Sequence, residues 1–86
     1  MDYFVYILKS KQKNWHYIGM TNNVEKRVIL HNKGWVKSTK AFAPFDLLLV
    51  EEFPTRNLAR MREKYYKTGF GKKVWMKKVN DSQFKP

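Results

Sequence analysis

Apolar and polar positions fall into six blocks along the chain. The first, Tyr3-Phe4-Val5-Tyr6-Ile7-Leu8, is rich in aromatic and β-branched residues and apolar on both faces. This predicts a strand in the middle of its sheet. Ser10 to Asn14 is a polar loop of hairpin length, and Trp15 to Gly19 predicts a second strand antiparallel to the first. Asn22 can cap a helix, with Glu25 three residues later. Val24, Val28 and His31 then share one helical face, and Gly34 is a stop. Pro44 and Pro54 bracket Asp46 to Glu52, whose Leu47-Leu48-Leu49-Val50 core predicts a third strand. Thr55 can cap the next helix, with Leu58, Met61, Tyr65 and Tyr66 as its apolar face and Gly69 and Gly71 as its end. Trp75 and Val79, four apart in the basic segment Lys72 to Val79, predict a final helix. The expected fold is therefore α+β, a three-stranded antiparallel sheet flanked by helices in the order β-β-α-β-α-α.

With 86 residues there is room for one domain with a thin core. We take residues 1–80 as that domain and 81–86 as a short C-terminal tail. The chain has no cysteine, which excludes a disulfide framework, a thiolate zinc site and a cysteine nucleophile. His16 and His31 cannot close a zinc site by themselves. A hydrophobic fraction of 43% and an aromatic fraction of 16% exclude a disordered tail. Tyr3 to Leu8, the longest apolar stretch, is far short of the ~18–20 residues that span a bilayer. It also lacks the flanks of a signal peptide. A cytoplasmic protein with no membrane partner is expected.

Charge changes the picture most. Lys plus Arg total 18 and Asp plus Glu total 7, a net charge of +11. A domain this basic implies a polyanionic partner, nucleic acid first and an anionic membrane surface second. The bases are segregated. Residues 9–40 hold eight bases and the single acid Glu25; residues 56–78 hold nine and the single acid Glu63. Between them, residues 41–55 hold three acids and no base. Two basic blocks around an acidic patch predict a binding face and a back face.

Phe4-Val5-Tyr6, followed by Tyr17-Ile18-Gly19, resembles the paired GIY and YIG motifs of the GIY-YIG nuclease superfamily. The resemblance continues through Arg27 and His31, four apart on the next helix. It takes in Asn32 to Gly34 at that helix's end, Pro44 before the third strand, and Ala59 to Lys64 on the following helix. It covers residues 3 to 80 and is strongest toward the small single-domain bacterial members, which look like the endonuclease domain of the excision-repair incision subunit. The first motif departs from the family, since Phe4 and Val5 stand where it has Gly and Ile. The resemblance implies a metal-dependent endonuclease acting on DNA, in DNA repair or recombination; the sequence leaves RNA open as a partner.

It implies a site made of Tyr6, Tyr17, Arg27, His31 and Glu63. Glu63 would hold one Mg²⁺ or Mn²⁺, and one tyrosine would act as general base or orient the water. Gly19, Lys37, Lys67 and Asn80 complete the expected substrate-contacting set; Asn80 matches a family asparagine by position only.

The same residues can be read on their own chemistry. Phosphodiester hydrolysis needs a base for the water and charge stabilisation at the phosphoryl oxygens. Mg²⁺ can be held by one protein carboxylate, because it keeps several waters and bonds the phosphate directly. Glu63, the lone acid in its basic run, suits that role. The plainer alternative is an i,i+4 pair with Lys67 worth ~0.2–0.5 kcal/mol. Arg27 offers planar bidentate donors to a phosphate, and His31 a proton shuttle or a phosphate contact. Their plainer alternatives are a snorkelling arginine and a satisfied interface histidine. A tyrosine with pKa ~10 needs a nearby cation to serve as a base. Tyr17 is the better candidate, with Tyr6 supporting it. His16 matches no family position. A non-catalytic nucleic-acid-binding module on the same fold is the rival, since it explains the charge and the altered first motif equally well.

Overall fold

β1 (Tyr3–Ser10) is apolar on both sides because it is the middle strand. It pairs antiparallel with β2 (His16–Thr21) on one edge and β3 (Phe45–Phe53) on the other, giving the order β2-β1-β3 in the computed structural model, which describes residues 2–83. Alternation along β1 then divides the core in two. Val5 and Ile7 face one layer, Tyr6 and Leu8 the other, and all four are buried. Each such fully buried apolar side chain stabilises the fold by roughly 1.5–3 kcal/mol.

On the first face, Val5 and Ile7 pack against α2 (Arg56–Tyr66) and α3 (Gly69–Gln83) through Ala59, Tyr66, Trp75 and Val79. The Trp75 indole N–H donates to the Tyr66 carbonyl at 3.2 Å, which ties the two helices together. On the second face, Tyr6 and Leu8 pack with Phe45 beneath α1 (Val24–Asn32) and a 3₁₀ turn, Lys40–Phe42. The Asn32 side-chain oxygen accepts from the Phe45 N–H at 2.7 Å and pins the end of α1 to the start of β3. The architecture is the expected α+β one, in the expected order.

Three local expectations are corrected. Asn23, not Asn22, caps α1: its Oδ1 accepts from the Lys26 N–H at 3.1 Å. The Thr21 hydroxyl takes the Asn23 N–H at 3.1 Å and delays the helix by one residue. Thr55 caps α2 as expected, but Leu58 and Met61 are exposed, and the buried face of that helix is Ala59 and Tyr66. Ala59, with no bulk beyond its methyl, lies fully buried against the sheet, and Tyr66 and Trp75 fill the space beside it.

Finally, Gly69 and Gly71 do not end a helix but begin one. Thr68 starts α3, its hydroxyl accepting from the Gly71 N–H at 2.9 Å. A Cβ at Gly71 would lie 1.9 Å from the Tyr65 carbonyl oxygen, so glycine is what lets α3 fold back on α2. Residues 81–83 continue α3, in the segment expected as tail, and 84–86 lie outside the described residues. Among the described residues, no helix is long and apolar enough to cross a membrane.

Candidate active site

The hairpin register brings the site together. Tyr6 lies opposite Gly19, and Leu8 opposite Tyr17, so Tyr6, Tyr17 and Gly19 share the face that α1 covers. The two phenol rings are 6.1 Å apart. Gly19 is the space between them. A Cβ there would lie 2.7 Å from Tyr17 Cε2 and 2.7 Å from both Cζ and Oη of Tyr6. Gly19 thus lets the two tyrosines converge, which is how it serves the site.

α1 supplies the next two members. His31, in its last turn, is fully buried, with its ring centroid 4.9 Å from that of Tyr17 and 5.8 Å from that of Tyr6. Both ring nitrogens are engaged. Nε2 meets the Tyr6 hydroxyl at 2.9 Å and Nδ1 meets the Thr39 hydroxyl at 2.8 Å. The Thr39 hydroxyl donates its own proton to the Val36 carbonyl at 3.4 Å, so toward His31 it accepts. With that assignment of the Thr39 proton, the neutral ring carries its proton on Nδ1 and Tyr6 donates to Nε2. Burial, and after it the charge of Arg27, bring the His31 pKa down to about 4, which agrees with a neutral ring at neutral pH.

Burial pushes the Tyr6 hydroxyl well above the ordinary tyrosine range, and Tyr17 adds to the rise. Arg27 stands close enough to pull the other way without cancelling it. Tyr6 is therefore a buried donor, held as phenol. Tyr17, next to it, is only half-buried. Arg27 is half-buried as well, and borders a cavity with Thr21, Asn23 and Leu30 at the start of α1.

Full burial corrects one expectation for His31. Its ring has no exposed surface to offer a phosphate and meets Tyr6 and Thr39 instead. Thr39 belongs to the same set and escaped the sequence reading. It lies eight residues after His31 in an irregular loop, where no periodicity marks it.

Glu63 lies on the other side of the sheet. It lies on α2, and its side chain, 13% exposed, pairs with Lys67 Nζ at 3.3 Å. Lys67 and Tyr17 line one cavity of about 540 Å³ that wraps the free edge of β2. The structure does not join Glu63 to the Tyr6–His31 hydrogen bonds; its link toward that cavity is Lys67, which lines it while Glu63 does not. Asn80 is exposed on α3, in an adjoining cavity with Lys9, Asn14 and His16. Lys37 is exposed in the loop after α1, outside the hydrogen-bonded cluster.

Among the described residues there is no cluster of three or more His, Asp or Glu side chains that could hold a metal ion. What α2 offers beside Lys67 is one mostly buried carboxylate, Glu63. That donor set fits a hard divalent cation whose remaining ligands are water and substrate oxygens.

Residues 2–80 match the family model described as the GIY-YIG catalytic domain. The chain belongs to the GIY-YIG family. GIY-YIG proteins are a nuclease family whose members act on DNA and generally use divalent metal ions. Among relatives, the chain is 40% identical over 67 residues to the UPF0213 protein YazA of Bacillus subtilis, covering 77% of this chain and 67% of YazA. It is 35% identical over 80 residues to the UPF0213 protein SSP2268 of Staphylococcus saprophyticus, covering 92% and 95%. Its fold is similar to the solution NMR structure of the UPF0213 protein BH0048 from Bacillus halodurans. There the TM-score is 0.55 at 30% identity, over 90% of this chain and 84% of the other. In GIY-YIG terms, Tyr6 and Tyr17 close the first motif and open the second, and hairpin pairing is what makes two distant tripeptides one site.

Proposed function

We propose that this GIY-YIG domain is a metal-dependent endonuclease that hydrolyses DNA phosphodiester bonds, in a repair or recombination setting. The observation that supports it most is the buried chain Thr39–His31–Tyr6, with Tyr17 and Arg27 above it. A site that only gripped a backbone would need surface cations, not a neutral histidine fixed in one tautomer.

In this reading Tyr17 is the group that meets the attacking water. Its hydroxyl orients the water and relays the proton, taking up the water's as it passes its own to solvent, and Tyr6, locked to His31 Nε2, fixes the ring beside it. Arg27 donates to the phosphoryl oxygens where negative charge grows in the transition state. Its half-buried position strengthens that interaction over one in open solvent. Glu63 would hold the Mg²⁺ or Mn²⁺, and when bound this ion supplies charge neutralisation at the phosphate. Lys67, released from Glu63, is then free for the backbone of the substrate.

Glu63→Gln tests this. It keeps the size of the side chain and removes the anionic ligand. Supercoiled plasmid is incubated with wild type and variant over a Mg²⁺ and Mn²⁺ titration, beside filter binding in EDTA. Nicking should be lost, and binding without metal should hold or tighten, because one negative charge leaves a basic rim. The fold should lose less than about 1 kcal/mol, since Lys67 stays solvated. Cleavage by the variant at equal metal would remove Glu63 from the site. No cleavage by wild type with either ion, on plasmid, flap or branched DNA, would leave a binding module.

A further inference from the structure

β2 ends beside the site in His16, a residue that the nuclease reading does not use. His16 is half-buried, its ring packed edge-on against Trp75 with centroids 5.1 Å apart. The cavity that holds Tyr17 and Lys67 continues past this ring, with Lys72 on its α3 wall. On the far side of the ring lies the second cavity, of about 260 Å³, bordered by Lys9 of β1 and Asn80 of α3. Asn14, His16 and Trp75 line both, so the two are one groove. It runs from Tyr17 around the free edge of β2 and across the ends of β1 and β2. Its polar lining is three lysines, two asparagines and a histidine, with no carboxylate. Lys67 is paired with Glu63, whereas Lys9 and Lys72 bring two further cations to a channel open to solvent, and such a channel suits a linear polyanion.

We infer that this groove holds consecutive phosphates of the DNA strand that carries the scissile bond, with His16, Lys72 and Lys9 gripping the backbone beyond the one at Tyr17. The inference rests on the nuclease reading for which strand is held, but not for the binding itself. Asn80 and Lys67 then act as backbone contacts at the two ends of the groove.

His16 gives this subsite a signature. The groups facing it are Lys9 from β1, Lys72 and Trp75 from α3, and Lys67 across the cavity; Leu48 is what β3 contributes. Burial first, then Lys9 and Lys72, hold its pKa below the ordinary histidine value. A phosphate set among those cations reverses the balance and favours the charged ring. DNA binding should therefore take up protons as pH falls, through His16.

The experiment is fluorescence anisotropy with a labelled DNA duplex in EDTA, from pH 5.5 to 7.5, with a salt titration at each pH. Wild-type affinity should rise as pH falls, by at most about tenfold per pH unit for one proton. His16→Gln should remove most of that rise. Lys72→Gln should keep it and lower the slope of log K against log[salt] by ~0.9, one phosphate contact. Arg56→Gln, at an exposed position that lines neither cavity, is the charge-matched control and should keep the wild-type slope. Circular dichroism verifies that each variant is folded.

If His16→Gln and Lys72→Gln match wild type in both pH response and salt slope, the groove is not the DNA track. If wild type shows both signatures yet cuts nothing, the groove stands and the nuclease reading falls. If it cuts while the variants lose neither signature, the reverse holds.

Discussion

Thr39→Val isolates the least obvious part of the site. Valine matches threonine in shape but cannot accept a hydrogen bond. His31 Nδ1–H, now 2.8 Å from the Thr39 hydroxyl and fully buried, would have neither partner nor water. The ring has two ways out, and both cost. It can keep the proton on Nδ1, leaving a buried donor unsatisfied at about 1–3 kcal/mol. Or it can move the proton to Nε2, which turns a donor toward the Tyr6 oxygen, forces that hydroxyl to find another acceptor and leaves Nδ1 bare. An 86-residue domain has roughly 4–13 kcal/mol of stability in all, so a loss of ~2 kcal/mol is a large fraction. With a urea m-value of ~1–2 kcal/mol/M, the unfolding midpoint should fall by about 1–2 M. Thr39→Ser keeps the hydroxyl and loses one methyl, ~0.8 kcal/mol. It should rescue most of the effect, and most of the nicking activity that Thr39→Val loses. Histidine ring ¹⁵N shifts supply the direct readout: the wild-type ring should carry its proton on Nδ1, the valine variant a mixture or the other tautomer. Equal midpoints for valine and serine, with unchanged ring shifts, would refute the claim that Thr39 sets the tautomer.

Two further outcomes follow from the same geometry. Tyr17→Phe should cut turnover by ~10²–10⁴-fold, the range of a general acid–base group, with the fold intact. Tyr6→Phe should cost less in turnover but ~1–3 kcal/mol in stability, because it strips His31 Nε2 of its donor; the opposite ranking in a nicking assay would exchange their roles. Acid should destabilise the domain in a defined window. The unfolded chain protonates His31 near 6.5 and the folded one only near 4, so its contribution is complete above pH 6.5, fades as pH falls toward 4 and is gone below. The loss is up to about 3 kcal/mol, and an NMR titration should find His31 the last histidine to charge; an ordinary titration near 6.5 would contradict its burial.

The order of elements was legible because each carried a local signal: an unbroken apolar run for the central strand, caps at Thr55 and near Asn22, prolines around β3. What failed was whatever depended on the partner. The face of α2 could not be read from Leu58 and Met61, since contact with the sheet selects the smaller Ala59 instead. Gly69 and Gly71 punctuate the chain as expected, yet only the fold-back of α3 onto Tyr65 and Tyr66 shows that they open a helix. At the site, Tyr6, Tyr17 and Gly19 come together by hairpin register, a two-strand property written in sequence. Thr39 joins them across a loop, by a hydrogen bond that no spacing rule foretells. His16 carries no spacing signal in the sequence, and only the folded chain places its ring where two cavities meet.

The altered first motif, Phe4-Val5-Tyr6, bears on whether the domain cuts at all, and strand parity decides what was altered. Val5 points away from the site into the α2–α3 core, opposite Met20, where a β-branched side chain packs as well as isoleucine. Phe4 pairs with Thr21 and is half-exposed, toward the end of β1 away from the loop that carries Thr39. Neither position touches the hydrogen bonds that hold Tyr6. The third residue of the motif, Tyr6, keeps its hydrogen bond with His31 Nε2, and His31 Nδ1 keeps its hydrogen bond with Thr39. A domain that only bound DNA would gain affinity from exposed cations and nothing from this buried chain. Charging His31 in that chain would put a positive charge on a histidine with no access to solvent. Val5 is a change in sheet packing, whereas Phe4 adds an aromatic side chain beside Thr21 on the face that carries Tyr6, and neither breaks the Tyr6–His31 hydrogen bond.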